Sequence, residues 1–181
     1  MNADERPARS SPETDLVGIF SRVAEEVGIQ VVRVPVAELL DRVRDIVEAE
    51  GGGIVIEETV LRDHPELASI SRRTGVSREE LFEARLGIVK AEAAVAETGS
   101  VVLAAGAGSP RAFSIVPPVV VVLVERGRIH ADLTEWLRSL DPADLAANLT
   151  LLSGPSRTAD IEMRLVTGVH GPGTVHVLVL G

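Results

Sequence analysis

The feature that most constrains the fold is an uninterrupted apolar run, Val119–Val124, which directly follows Pro117 and Pro118. The run is far shorter than the ~20 residues that a membrane-spanning helix needs. Because it has no polar position to turn toward water, it is typical of a strand buried on both faces of a parallel sheet. The prolines favour an extended chain just before it. We therefore predict a central, fully covered β-strand here.

The first third of the chain alternates helical and strand patterns. Residues 11–27 carry an apolar stripe at helical spacing, with Ser11 as a predicted N-cap. A β-branched segment at 29–34 follows, then a second helical stripe at 36–47 and a short apolar segment at 54–56. This alternation predicts a parallel sheet with helices on its faces, joined by right-handed crossovers.

The rest of the chain is predicted to continue in the same domain. Residues 59–90 are polar and predicted to be mainly helical, with a capping box that starts at Ser77. Residues 1–10 are predicted to form a disordered lead, and the length of 181 residues favours a single domain at 11–181. Later predicted elements are a hairpin at 91–104, a helix at 133–140 and strands at 149–152 and 175–180.

Composition narrows the classes of partner and cofactor. A net charge of −9 and an aromatic content of 2% argue against nucleic acid, which needs basic faces and stacking surfaces. The chain has no cysteine, which excludes disulfides and thiolate-held zinc or iron–sulfur clusters within it. Its polar, acidic start lacks the features of a signal peptide, so we expect a cytoplasmic protein without a membrane span. A homo-oligomer stays open.

Three familiar motifs fail on inspection. The only lysine, Lys90, does not follow a glycine-rich phosphate loop. Gly106 and Gly108 are not followed by the third glycine of the dinucleotide fingerprint. Around Ser156, the position that is glycine in a nucleophile elbow is Thr158, which argues against a serine hydrolase.

The strongest local signal is a glycine- and hydroxyl-rich segment at 154–160, predicted as a turn between a strand and a short helix. Unpaired amides at a helix start attract anions. The alternative is that Ser156 or Thr158 simply caps its own helix, with no ligand involved. The candidate residues for holding a carboxylate or phosphate are Gly154, Ser156, Arg157, Thr158 and Asp160.

Two other loops contribute candidates. In the predicted hairpin turn, a glycine at positive φ closes the turn, and its polar neighbours either face a cleft or serve the turn alone. The residues of that turn are Glu97, Thr98, Gly99 and Ser100. His170, just before Gly171, lies on the loop before the last strand. Its imidazole either acts on a ligand as a proton donor or bonds to the backbone.

Charged residues complete the candidate set. Glu57 follows the strand at 54–56, where a carboxylate either faces the usual ligand crevice of a parallel sheet or is plainly solvated. Arg111 is a candidate clamp for a carboxylate or phosphate. Glu57, Glu97 and His170 are the candidate catalytic groups, whereas His176 is predicted to be a hydrogen-bonded core residue. No spacing of histidine and acid matches a zinc site, so no metal site is predicted.

The C-terminal half resembles the lactate utilization protein C family, also called the LUD domain family. The most specific block is SGPSRTADIE at 153–162. The resemblance implies a three-layer α/β/α sandwich around a mostly parallel sheet, similar to ribose-phosphate isomerases, glucosamine-phosphate deaminases and CoA-transferases, with ligands at the carboxyl ends of the strands. The other blocks, in the family's order, are Ala93–Leu103, the Pro117-Pro118 segment, and Gly168–Pro172 with Val175–Leu178 after it.

The resemblance further implies a part in oxidising L-lactate to pyruvate beside iron–sulfur partner subunits. The chain shows no recognisable means of holding a redox cofactor, so we expect an accessory subunit without its own cofactor. It would bind a small anion at the Ser156 turn, with Arg111, Thr98 and His170 in support.

Two alternatives stay open. One is a stand-alone enzyme for a sugar phosphate, CoA ester or folate that uses Glu57 or Glu97. The other is a non-catalytic metabolite-binding module.

Overall fold

The computed structural model describes residues 15–70, 77–106, 110–141, 146–159, 165–167 and 171–181, with 157–159 and 165–167 described by their backbone. The predicted lead at 1–10, Asp160 and His170 lie outside these residues. The helices are α1 (Leu16–Glu26), α2 (Leu39–Glu50), α3 (Glu58–Asp63), α4 (Arg78–Glu83) and α5 (Leu133–Ser139), with 3₁₀ turns at Val36–Glu38, Pro65–Ser69, Arg111–Ser114 and Arg126–Arg128. The strands are β1 (Gln30–Val34), β2 (Gly53–Ile56), β3 (Ala84–Lys90), β4 (Ala93–Val95), β5 (Ser100–Ala105), β6 (Val119–Glu125), β7 (Ile129–His130), β8 (Asn148–Leu152), β9 (Arg157–Ala159), β10 (Leu165–Thr167) and β11 (Thr174–Leu180).

The central sheet is parallel throughout. Within the described residues its order is β1-β11-β6-β3-β2, with β6 and β11 in the middle. Residues 119–124 are each at most 2% exposed, as their unbroken apolar pattern predicts. The predicted class, a mixed α/β fold around a mostly parallel sheet, is confirmed.

Both faces of the sheet are covered. Helix α2 buries Leu39 and Val43 against one face, and α1 buries Phe20 against the other. A second sheet, with the order β7-β4-β5-β8 among the described strands, lies on the α1 side and adds Val101 to the same core. Helix α5 packs Trp136 on the outer side of that second sheet. The core therefore consists of stacked layers, which a chain of this size can build around one parallel sheet.

The predicted helical region at 59–90 is wrong in its last part. The capping box at Ser77 is present, since its Oγ accepts from the Glu80 amide at 3.2 Å, but α4 ends at Glu83. The chain then forms β3 between β2 and β6. Gly87 makes this possible, because a Cβ there would lie 2.2 Å from the carbonyl oxygen of Phe113. Periodicity alone does not distinguish a strand from a buried helix in so short an apolar stretch. The shortness of the stretch at 84–90 is the signal that favours a buried strand.

Two local expectations can be compared directly with the structure. Helix α1 starts at Leu16, where the Asp15 carboxylate accepts from the Gly18 amide at 2.9 Å and caps the helix, whereas the predicted N-cap, Ser11, lies outside the described residues. The predicted hairpin is confirmed as the antiparallel pair β4–β5, with Gly99 at φ 61° in its turn. Among the described helices, none has the length and apolar character needed to cross a membrane.

The helix predicted to start after Ser156 is wrong for the residues described there. Arg157–Ala159 form β9, which pairs antiparallel with β10. The Ser156 amide donates to the Pro172 carbonyl at 2.8 Å, so this donor is already occupied. Backbone pairing with 165–167 favours an extended chain where local composition had suggested a helix start. The expected cluster of free helix-start amides is therefore not formed by residues 156–159.

Candidate functional site

A buried carboxylate lies at the carboxyl edge of the parallel sheet. Glu57 follows β2 directly and is 4% exposed. Its Oε2 accepts from the Lys90 amide at 3.0 Å and from Thr59 Oγ1 at 3.2 Å. The Glu57 amide in turn donates to the Ile88 carbonyl at 3.0 Å. These bonds fix the acid between the ends of β2 and β3, where sequence reasoning had placed it.

Lys90 forms an ion cluster beside this carboxylate. Its Nζ donates to Asp63 Oδ2 and lies 3.5 Å from Glu125 Oε1. Burial alone would lower the pKa of Lys90, but the bond and charge of Asp63, with Glu125, outweigh it and raise that pKa. The Lys90 bond lowers the pKa of Asp63 more than burial raises it. Lys90 is therefore an ammonium ion at neutral pH and not a nucleophile.

Open space adjoins these residues. A cavity of about 240 Å³ is bordered by Glu57, Lys90 and Glu92. A second cavity, of about 200 Å³, continues toward His130 and Trp136. The two share Glu92, Ala104 and Ala146 in their walls, so they are adjacent, and we call the pair the carboxyl-edge cleft.

A second group of predicted site residues meets at the other edge of the sheet. Ser100 Oγ and Ser153 Oγ lie 2.7 Å apart and share a hydrogen bond. A Cβ at Gly171 would lie 3.5 Å from Ser156 Cβ. We call this meeting of loops 98–100, 153–156 and 171–172 the serine junction. It adjoins the start of β6 and β11, because the Gly173 amide donates to the Pro118 carbonyl at 2.8 Å.

Two glycines let the serine junction close over the last turn of α1. Gly99 has φ 61°, and a Cβ there would lie 2.4 Å from the Ala24 amide nitrogen. Gly154 has φ 128°, and a Cβ there would lie 2.8 Å from the Val27 carbonyl oxygen. Only glycine meets both the left-handed backbone and the close approach without strain. The glycines of the family-like blocks thus serve packing.

The structure divides the predicted site residues between two places. The serine junction holds Thr98, Gly99, Ser100, Gly154, Ser156 and Gly171. Glu57 lies at the opposite edge, roughly 20 Å away along strands of this length. Glu97 and Arg111 are exposed, the first in the β4–β5 turn and the second in the 3₁₀ turn before β6. The backbone of Arg157 and Thr158 lies in β9.

Several residues of the carboxyl-edge cleft were not found from the sequence. Lys90 was considered only as part of a phosphate loop, and Asp63 and Glu92 were not singled out. Lys90 was missed because residues 84–90 were predicted to be helical. Since these residues form β3, the only lysine of the sequence lies beside Glu57 at the carboxyl edge. Across the described ranges, no three histidine or acidic side chains are close enough to hold a metal ion.

His176 was predicted to be a hydrogen-bonded core residue, and the second half of that prediction is wrong. It is 7% exposed, and neither ring nitrogen has a hydrogen-bond partner among the described residues. Burial lowers the pKa of His176, the charge of Glu50 raises it, and that of Arg42 lowers it further, for a net decrease. Glu50 Oε1 is 4.0 Å from Nε2, too far for a hydrogen bond.

These features define a layered α/β protein with a cleft at the carboxyl edge of its parallel sheet. The same fold occurs in the crystal structure of a DUF162 family protein from Deinococcus radiodurans, with a TM-score of 0.70 and 23% identity, over 94% of this chain and 99% of that one. The LUD domain model matches residues 17–180. The chain therefore belongs to the LUD domain family.

Curated relatives of this chain carry the name lactate utilization protein C. The protein from Anoxybacillus flavithermus is 28% identical over 171 residues, which cover 88% of this chain and 78% of the relative. The protein from an Exiguobacterium species is 29% identical over 185 residues, which cover 94% and 80%. The similarity spans both the serine junction and the carboxyl-edge cleft.

Proposed function

We propose that this chain is an accessory component of a cytoplasmic lactate utilization system, in which partner subunits hold iron–sulfur clusters. The observation that carries the proposal is the match, over nearly the whole chain, to relatives named lactate utilization protein C. Oxidising L-lactate to pyruvate removes two electrons, which a redox group must accept. This chain has no cysteine to ligate a cluster, so an acceptor that is an iron–sulfur cluster would be held by another subunit.

The ligand of this component is proposed to be a small hydroxy acid or keto acid at the serine junction. The support is the convergence of three loops that carry hydroxyl groups, those of Thr98, Ser153 and Ser156. Hydroxyl groups donate well to a carboxylate. Arg111, Arg157 and His170 are the proposed supporting donors. The carboxyl end of α1, the negative end of its dipole, faces Gly154, so we expect weak binding, on the order of millimolar.

The experiment is reconstitution with the cluster-bearing proteins that co-purify with the chain. Lactate-dependent reduction of a dye is expected only when this chain is present. Ser156→Ala is expected to raise the KM for lactate, whereas Ser69→Ala, an exposed serine away from the junction, leaves it unchanged. Full activity without this chain would contradict the accessory role, and an unchanged KM in Ser156→Ala would contradict the ligand site.

A second candidate function is a stand-alone enzyme that uses Glu57 as a base or nucleophile. The buried carboxylate beside a cavity favours it, because such an acid can act on a bound substrate. Turnover of a sugar phosphate, CoA ester or folate by the isolated chain would support this function. It should be lost in Glu57→Gln and kept in Glu58→Gln, an exposed neighbour. A ligand that raises the melting temperature without being converted would instead indicate a metabolite-binding module.

A further inference from the structure

The carboxyl-edge cleft has the size of a small-molecule site that the lactate role does not use. Its two cavities, of about 240 Å³ and 200 Å³, share Ala104 and Ala146 in their walls. Taken together, they come within the range of roughly 300–1,000 Å³ that is typical of such sites. Short alanine side chains line the place where the two halves adjoin. A ligand can therefore extend from Glu57 to the far end at Trp136.

The far half of the carboxyl-edge cleft is a slot between a helix and a sheet. Trp136 and Leu140 border it on the side of α5, and Ala104 and Leu149 border it on strands β5 and β8. Polar side chains also border it, namely Glu92, Arg128, His130 and Ser139, so a bound group finds apolar walls together with hydrogen-bonding partners. Such a lining fits a flat ring with polar edges, which packs against the apolar walls and hydrogen-bonds through its edge.

The near half of the cleft carries an excess of acids. Glu57 and Glu92 border it, and Asp63 and Glu125 are bound to Lys90 beside it. The positive charge of Lys90 is neutralised by its ion pairs with Asp63 and Glu125. Arg128 Nη1 lies 3.8 Å from Glu92 Oε2. This end therefore repels phosphates and carboxylates, and its carboxylates accept hydrogen bonds from hydroxyl or amino groups.

We propose that the carboxyl-edge cleft binds an uncharged nucleoside, with the base in the slot beside Trp136 and the ribose hydroxyls toward Glu57 and Glu92. A nucleoside combines the flat ring that the slot fits with the donors that the acids accept. It lacks the phosphate that these acids repel. This site is separate from the serine junction, and its occupation does not depend on the lactate role.

The experiment uses the full chain and its single tryptophan, Trp136, as the reporter. Adenosine, guanosine, cytidine and uridine are titrated separately, and the emission of Trp136 is recorded. At least one is expected to change the emission saturably. The matching 5′-monophosphate is expected to bind about tenfold more weakly, because its charge meets the acids of the near half. The difference should shrink as salt is added.

Two variants test the placement of the nucleoside. Ala104→Leu fills the place where the two halves adjoin and is expected to weaken binding about tenfold or more, whereas Ala68→Leu, at an exposed position on Pro65–Ser69, leaves it unchanged. Circular dichroism confirms that both variants fold. Glu92→Gln removes an exposed charge, so it carries little folding risk. In this variant, the ratio between the dissociation constants of the monophosphate and the nucleoside is expected to fall several-fold.

Three results would overturn the proposal. The first is no emission change with any of the four nucleosides up to about 5 mM, the concentration of very weak binding. The second is a monophosphate that binds as tightly as its nucleoside. The third is an unchanged preference in Glu92→Gln together with unchanged binding in a folded Ala104→Leu. None of these readouts involves lactate, so failure here leaves the lactate role standing, and the reverse also holds.

Discussion

The serine junction and the carboxyl-edge cleft differ in the role of their residues: those of the junction pack the backbone closely, whereas those of the cleft leave open space lined by charged groups. At the junction, Gly99 and Gly154 bring backbone against backbone at α1, and the Ser156 amide is taken by Pro172. At the cleft, the small side chain of Ala104 leaves room, and charged groups gather around it. A cluster of predicted site residues therefore does not by itself indicate a binding site. The cluster at the serine junction serves close packing, whereas the cluster at the carboxyl-edge cleft surrounds open space with an excess of acidic groups.

This difference separates two kinds of mutation. Changes at the glycines of the serine junction should act on stability, because they alter packing that the fold needs. Changes at the carboxyl-edge cleft should act less on folding, because solvent and open space absorb them. Glu57 is the exception, since it is buried and hydrogen-bonded.

The largest effect is expected for Gly99→Ala. The new Cβ meets the Ala24 amide nitrogen at 2.4 Å, and an alanine at φ 61° is itself strained. Together these should lower the free energy of unfolding by about 3 kcal/mol. Gly127→Ala is the matched control, because a Cβ added there would have nothing within 4 Å, and urea unfolding measures both. Equal unfolding midpoints for the two variants would show that the junction is not packed as described.

Glu57→Ala comes next. The substitution leaves the Lys90 amide and the Thr59 hydroxyl without the acceptor they use, at a position that is 4% exposed. We expect a loss of about 2 kcal/mol in the free energy of unfolding. Glu58→Ala, on the exposed side of the same helix start, should change it by less than about 0.5 kcal/mol. If the two variants were equally stable, Glu57 would not be the buried link between β2 and β3.

Some of this comparison was accessible from the sequence. The unbroken run at 119–124 has only one favourable place in an α/β fold, the middle of the sheet, and it occupies that place. Gly99 was predicted in a turn at positive φ, because turn chemistry is local. Glu57 was predicted at the carboxyl edge, because it follows a strand pattern directly. Each of these rests on a rule that a few neighbouring residues satisfy.

The rest depends on contacts between distant segments. Strand β3 owes its place to Gly87 beneath the Phe113 carbonyl, a contact that no window of sequence reveals. The extended form of Arg157–Ala159 depends on pairing with 165–167, which overrides a composition suited to a helix start. The lysine of the cleft was missed for the first of these reasons. Tertiary pairing thus decided what local propensity left open.

A smaller effect is expected for the ion pair of Lys90 and Asp63. The pKa of Asp63 is lowered, so its contribution is present above the ordinary carboxyl pKa and is lost as the pH falls through the lowered value. The pKa of Lys90 is raised, so its contribution is lost only as the pH rises through a strongly alkaline range. Solvent screens the pair, whose side chains are 27% and 40% exposed, so Asp63→Asn should cost less than about 1 kcal/mol.

The measurement for this pair is urea unfolding of wild type and Asp63→Asn at about pH 7 and about pH 2. The difference in the free energy of unfolding should be present at the higher pH and shrink at the lower one, as the pH falls toward and through the lowered pKa of Asp63. Asp41→Asn, whose side chain is 81% exposed, serves as the control and should show a smaller difference. A difference that grows on acidification would have the wrong sign for this pair.

The smallest effect is expected for the hydroxyl pair of the serine junction. Ser100 is 1% exposed and bonds to Ser153 Oγ at 2.7 Å, whereas Ser153 is exposed and can exchange this bond for water. A double-mutant cycle of Ser100→Ala and Ser153→Ala should give a coupling energy of about 0.5 kcal/mol. A value near zero would contradict the bond. A coupling energy larger than the loss in the free energy of unfolding caused by Gly99→Ala would reverse the comparison. Hydroxyl groups and not glycine packing would then hold the junction together.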